Sequence, residues 1–340
     1  MDPKVYVPAY LERMYLENHP NLTDAARDLL HEEVVAHPET YATTEHAANL
    51  LAYARVHTRL IGELDRMEDL PDEEFERKRD QVFRATRLEV YKIWQPDRLC
   101  IDAQLLDILL ADVPIDACLH DLLQLEERAR DYLRGSVPGF DTDAEAFWKP
   151  STPQGADPAS ATRTNPEVIG WLHVCEALAQ ECLASARYRA AAQYARLVMR
   201  AKGYPNRAVG TLLLALARLE DEDGFFAAAH TAGEGAEDSP WYLLGRTLLL
   251  YKLARFRNAQ RALKDFVNRC EGGAFFLLNP TYMTPYLPVR PAPRDPWSLT
   301  HQAVWEADGI IVDTPDFSTW AASVDGVDAA SEAFARKYGF

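Results

Sequence analysis

The chain has 340 residues, 48% hydrophobic and 26% charged, enough for one large or two ordinary domains with a sizeable core. Its 36 basic and 52 acidic residues leave a net charge of −16, which repels a phosphate backbone and argues against nucleic acid as a partner. Five cysteines (Cys100, Cys118, Cys175, Cys182, Cys270) form no C-x-x-C pair and read as small buried hydrophobes in a reduced, cytoplasmic compartment. No apolar stretch near the start resembles a secretory signal, and no run approaches the roughly 20 apolar residues of a membrane span.

From Tyr6 to Arg134 the apolar residues recur with helical period, so the sequence predicts an all-α array. Helices are expected near Val5–Glu17, Thr23–Ala36, Thr43–Met67, Asp72–Trp94, Arg98–Ala111 and Ile115–Leu133. In the third, Leu50, Tyr53, His57, Ile61, Leu64 and Met67 fall on one stripe that should be buried. This acidic array, residues 1–134, is followed by a Gly/Pro-rich linker at 135–166. Phe140, Phe147 and Trp148 are too apolar for a freely solvated linker, so part of it should pack onto a domain.

Helical periodicity resumes from 167 to 272, and here the chain nearly repeats itself: "ARYRAAAQYA" begins at Ala186 and "ARFRNAQRAL" at Ala254. A third unit fits between them at "GFFAAA". Ala186, Gly224 and Ala254 then fall at a turn, with Tyr188, Phe226 and Phe256 two residues later. Ala191, Ala229 and Ala259 follow three beyond those, and Ala179, Ala217 and Thr247 lie seven before the turn. Small residues let two antiparallel helices approach, the aromatic fills the gap, and the alanine seats the second helix.

This arrangement resembles the tetratricopeptide repeat, with unit spacings of 38 and 30 in place of 34. The leading tryptophan of that motif is replaced by Cys175, Leu213 and Leu243, and its closing proline is missing. A shorter stretch, "ALKDFVNRCEGGAFFLLNP" followed by "YLPVRP", is similar to the end of the repeat region in the suppressor-of-tumorigenicity-seven family. That likeness implies a helical-repeat protein without known catalysis. The remaining segment, 273–340, carries prolines at 280, 285, 288, 291, 293 and 296, which predict an extended strap, and then helices near Ser298–Asp308, Asp316–Ser323 and Val327–Tyr338.

No stretch carries a firm catalytic signal. In "HEEVVAH" the histidines His31 and His37 are six apart, about 240° round a helix, so they cannot share a metal as an H-E-x-x-H pair does. His46 and His57 share a face but lie about 16 Å apart along it. "DTDAEAFWKPST" lacks the glycine and glutamate of a calcium loop, and no phosphate-cradling loop or nucleophile elbow is present. The reading is therefore of a protein with no catalytic residues, cofactor or metal.

Charge is segregated along the chain. Residues 1–135 hold 16 basic and 28 acidic side chains, whereas 184–218 holds seven basic and none acidic, and 241–270 holds seven basic against Asp265 alone. Such a surface either snorkels its arginines over helix faces or recognises an anion.

The resemblance implies a concave groove lined by the first helix of each unit, where a peptide would lie. Its residues would be His173, Glu176 and Gln180, then Leu214 and Arg218, then Trp241, Leu244, Leu248 and Lys252. An aromatic anchor beside cations suits an acidic peptide or protein partner. The function expected is that of a protein-interaction scaffold. Two alternatives stay open: an all-helical enzyme with a site between the two helical regions, and a groove filled by the chain's own segment from Pro280 to Trp297.

Overall fold

Polar caps and prolines start the helices where the sequence provides them. Thr23 accepts from the Ala26 amide, Thr44 from Ala47, and Ser239 from Tyr242, with Pro3, Pro38 and Pro240 in first turns. Each such cap satisfies an amide that has no partner within the helix and contributes about 1 kcal/mol. The computed structural model describes residues 1–68, 70–148, 165–201, 204, 208–280 and 289–340, and among these every regular element is a helix. The Asp72–Trp94 and Val327–Tyr338 helices have the bounds their periodicity predicts, and the others differ by a few residues at their ends, as with Pro3–Asn18 and Ile101–Leu109. Most of the 135–166 linker, from 149 to 164, lies outside the described residues, as does 281–288 of the proline-rich strap.

The chain divides into two compact units. The first comprises Met1–Ala177, Arg200–Pro205 and Leu287–Pro291. Its helices Glu45–Met67 and Asp72–Trp94 pack as a pair, Pro3–Asn18 packs on the former, and Ile101–Leu109 joins Asp72–Trp94 to Ile115–Ser136. Tyr6, Val7, Leu11, Leu50, Leu60, Leu64, Val90 and Leu106 form its core. Of the stripe expected on the third helix, Leu50, Tyr53, Leu64 and Met67 are buried, while His57 and Ile61 are half-buried. Phe140, Phe147 and Trp148 are buried around Trp171, with ring centroids of Phe140 and Trp171 5.3 Å apart. This is the packing that their apolar character requires.

The second unit comprises Leu178–Met199, Asn206–Tyr286 and Ala292–Phe340. Here Ala208–Arg218 packs on Glu222–Ala232 and on Pro240–Lys252, which in turn packs on Phe256–Arg269. The Tyr188–Arg200 helix, up to Met199, and the helices Gly273–Leu278, Ser298–Val312, Phe317–Ser323 and Val327–Tyr338 also belong to it.

Three turns in this unit share one backbone. Ala186, Glu220 and Ala254 have φ of 60°, 59° and 56°, the left-handed conformation, and stand 34 residues apart (220 − 186 and 254 − 220). At each, the next amide reaches back five residues: Arg187 to Cys182, Asp221 to Leu216, Arg255 to Leu250. This is the hydrogen-bond signature of a Schellman helix ending. The middle turn is therefore at Glu220 and not at Gly224, which sits inside the Glu222–Ala232 helix and donates its amide to the Asp221 cap. Composition misled the register, because small residues in "GFFAAA" mimic a turn that the backbone makes four residues earlier. With spacing 34, the fully buried Phe225 aligns with Ala191 and Ala259, also fully buried, while Phe226 is 38% exposed.

Candidate functional site

The positions expected to line a groove fall in both units. Gln180, Leu214, Arg218, Trp241, Leu244, Leu248 and Lys252 belong to the second. Gln180, Leu214 and Leu248 are 34 apart, as are Arg218 and Lys252, so the groove positions follow the period of the turns. Leu214, Leu244 and Leu248 are fully buried, and Gln180 is exposed.

What meets this stripe is the Ser298–Val312 helix, which packs on both Ala208–Arg218 and Pro240–Lys252. Trp241 Nε1 donates to Glu306 Oε2 at 2.6 Å. Arg218 donates through Nε (2.9 Å) and Nη2 to Asp313 Oδ2, just past the end of that helix, and lies 5.3 Å from the Tyr188 ring centroid. Asp313 holds the Arg218 guanidinium charged, and the same contact keeps the Asp313 carboxyl below its usual range. Farther along, the Tyr251 hydroxyl donates to the Pro315 carbonyl at 3.1 Å. Trp241 and Arg218 are thus bound to the chain's own residues. Glu306 and Asp313 went unread in the sequence although their spacing of seven, two helical turns, places them on one side.

Closeness on this face is enforced at Gly210. A methyl group there would stand 2.7 Å from Cγ and Cδ1 of the Trp241 ring, inside any real carbon–carbon contact.

The cations of the second unit are largely matched within it. Arg196 pairs with Asp221, Lys252 with Glu220, Arg255 with Glu222, Lys264 with Asp325, and Arg269 with Asp238. The basic runs therefore serve contacts between neighbouring helices. Arg189, Arg257 and Arg261 are exposed and have no such pair among the described residues.

His173 and Glu176 lie in the first unit, in a buried polar cluster. Asp102, 4% exposed, accepts from the Tyr6 hydroxyl at 2.5 Å and from His173 Nδ1 at 2.8 Å. Burial opposes the Asp102 charge, yet the charge and hydrogen bond of His173 outweigh it and hold the carboxyl below its usual value. Burial, helped by the Asp102 charge, pushes the Tyr6 phenol well up. The second imidazole nitrogen, Nε2, meets the Met1 amino group. Glu176 accepts from the Tyr204 hydroxyl at 2.7 Å. The sequence offered one overlooked signal here: Asp102 is the one charge in the mostly apolar "CIDAQLL", and a charge in a buried helix needs partners.

A second imidazole in this unit is held between carboxylates. His46 Nδ1 is 2.8 Å from Asp97 Oδ2 and Nε2 is 3.2 Å from Glu167 Oε1, with Asn49 also donating to Asp97 at 3.3 Å. Burial disfavours the imidazolium, but the two carboxylates more than offset this and raise its pKa to about 9. His31, the first residue of "HEEVVAH", meets Glu12 at 2.9 Å. Among the described residues no cluster of three histidine, cysteine or acidic side chains could hold a metal ion, and no helix is long and apolar enough to cross a membrane. The described cysteines are all buried.

Compared with models of protein families, with curated proteins and with solved structures, the chain matches none.

Proposed function

We propose that the second unit is a tetratricopeptide-like scaffold for protein interaction, without catalysis, whose inner face is occupied by the chain's own Ser298–Val312 helix. The observation that carries this reading is the pair of contacts made by that helix and its end, Glu306 with Trp241 and Asp313 with Arg218. The recurrence of left-handed turns at spacing 34 supports the repeat assignment. A tethered helix has a high effective concentration and excludes free peptides from the same face unless they bind much more tightly. On this reading the occupant is this helix; residues 281–288 of the alternative Pro280–Trp297 segment lie outside the described residues.

The polar cluster at Asp102 favours a structural role over an acid–base site. Both of its carboxylate oxygens are engaged, and its neighbours Tyr6 and Tyr53 are buried in the core. Such a network fixes helix register while leaving no reacting atom exposed.

The self-occupied face is tested with a labelled peptide copying residues 298–316, added in trans. Wild-type protein should not bind it, whereas a Glu306→Lys, Asp313→Lys variant, whose own helix is weakened, should. Equal binding by wild type and variant would show an open face and refute the reading.

A further inference from the structure

On a different side of the second unit, a recess of about 280 Å³ is lined by Glu222, Phe226, Arg246, Leu250, Arg255 and Arg261 together with Asn258. It draws on three successive helices, Glu222–Ala232, Pro240–Lys252 and Phe256–Arg269, and on the turn residue Arg255. Three guanidinium groups against the single carboxylate of Glu222 leave the lining with a surplus of two positive charges (3 − 1).

Arg261 differs from Arg218, whose Nε and Nη2 both donate to Asp313. Arg261 is exposed and has no carboxylate partner among the described residues. Arg246 approaches Asp265 only at 3.6 Å, and Arg255 shares Glu222 at 2.5 Å. Asn258, exposed in the first turn of a helix that has no side-chain cap, adds a side-chain amide to the lining. Phe226 is 38% exposed and stands with Leu250 as an apolar wall beside these donors.

We infer that this recess binds a phosphorylated serine or threonine side chain of a partner peptide, with an apolar neighbour of the phosphoresidue resting on Phe226. A phosphomonoester carries a charge of about −1.5 to −2 near neutral pH, which matches the surplus, and presents three acceptor oxygens to guanidinium forks. A carboxylate brings only one charge and two oxygens. The apolar wall distinguishes a peptide from a free ion, because only the peptide has a side chain to lay on it. Occupancy would draw Arg246 and Arg255 from their intramolecular carboxylates, so binding must be weakened by salt.

The inference gives the scaffold a partner class but does not depend on how the inner face is occupied, since the recess lining is distinct from Arg218 and Trp241, which Asp313 and Glu306 engage. The test uses the full chain and an immobilised degenerate peptide library with phosphoserine fixed at its centre, followed by titration of the selected peptide. The expected result is saturable binding that falls at least about tenfold in Arg261→Glu and in Arg246→Ala. It should persist in Arg257→Glu, which alters an exposed arginine outside the recess. Circular dichroism of each variant checks the fold. Selection of no peptide, unchanged affinity in Arg261→Glu, or equal affinity for the same peptide with glutamate in place of phosphoserine would overturn the proposal. Equal affinity for inorganic phosphate alone would overturn the peptide as occupant.

Discussion

The indole of Trp241 donates its only polar hydrogen to Glu306, 65 residues later in the chain. This hydrogen bond joins a residue of the inner helix face to the helix that covers it. Replacing Glu306 with alanine leaves the half-buried indole N–H without that partner and should lower unfolding free energy by about 1–2 kcal/mol. The Glu306→Gln variant retains an acceptor at the same place and should cost less. Denaturant midpoints of the two variants, compared at one pH, check the order.

Gly210 offers a sharper steric test of the same face. In an exposed helix, glycine to alanine stabilises by about 1 kcal/mol. Here the new methyl meets the root of the Trp241 ring at 2.7 Å, so Gly210→Ala should instead destabilise by about 1–3 kcal/mol. Combination with Trp241→Ala should remove most of that penalty, a coupling that a double-mutant cycle measures.

The all-helical fold class was legible because apolar periodicity records which face of a helix is buried, and it placed the helix ends of the first unit to within a few residues. The position of the middle turn was not. Glu220 has no glycine-like signature, and its left-handed backbone is imposed by the helix ending around it. The pairing of Trp241 with Glu306 and of Arg218 with Asp313 was equally hidden, since Glu306 and Asp313 look like ordinary surface acids. Long-range pairing such as Tyr6 with Asp102, 96 residues apart, leaves no local trace beyond an acidic residue in an apolar helix.

The left-handed turns predict an inverted response to glycine. Ala186 and Ala254 are exposed and carry φ near 60°, a conformation that costs a side-chain-bearing residue about 1 kcal/mol or more. Ala186→Gly and Ala254→Gly should therefore stabilise the protein by about 0.5–1 kcal/mol. The fully buried helical Ala259 should respond oppositely when changed to glycine. Chemical denaturation of the three variants decides whether the turns are as described.

His46 makes stability depend on pH in a defined window. Its pKa rises from 6.5 to about 9 in the folded protein, so the unfolded state loses the proton first as pH increases. The stabilisation is complete below pH 6.5 and disappears between 6.5 and 9, an effect of at most about 3 kcal/mol. His46→Gln should flatten that part of the stability profile. Urea unfolding of both proteins across this range provides the comparison, and an unchanged slope in the variant would assign the effect elsewhere.

Hydrogen exchange along the Ser298–Val312 helix tests most directly whether the inner face is self-occupied. If it is, these amides should be protected as strongly as those of Ala208–Arg218 and Pro240–Lys252, and the Glu306→Lys, Asp313→Lys variant should lose protection there first. Unprotected Ser298–Val312 amides in the wild-type chain, or protection indifferent to that double substitution, would contradict the account.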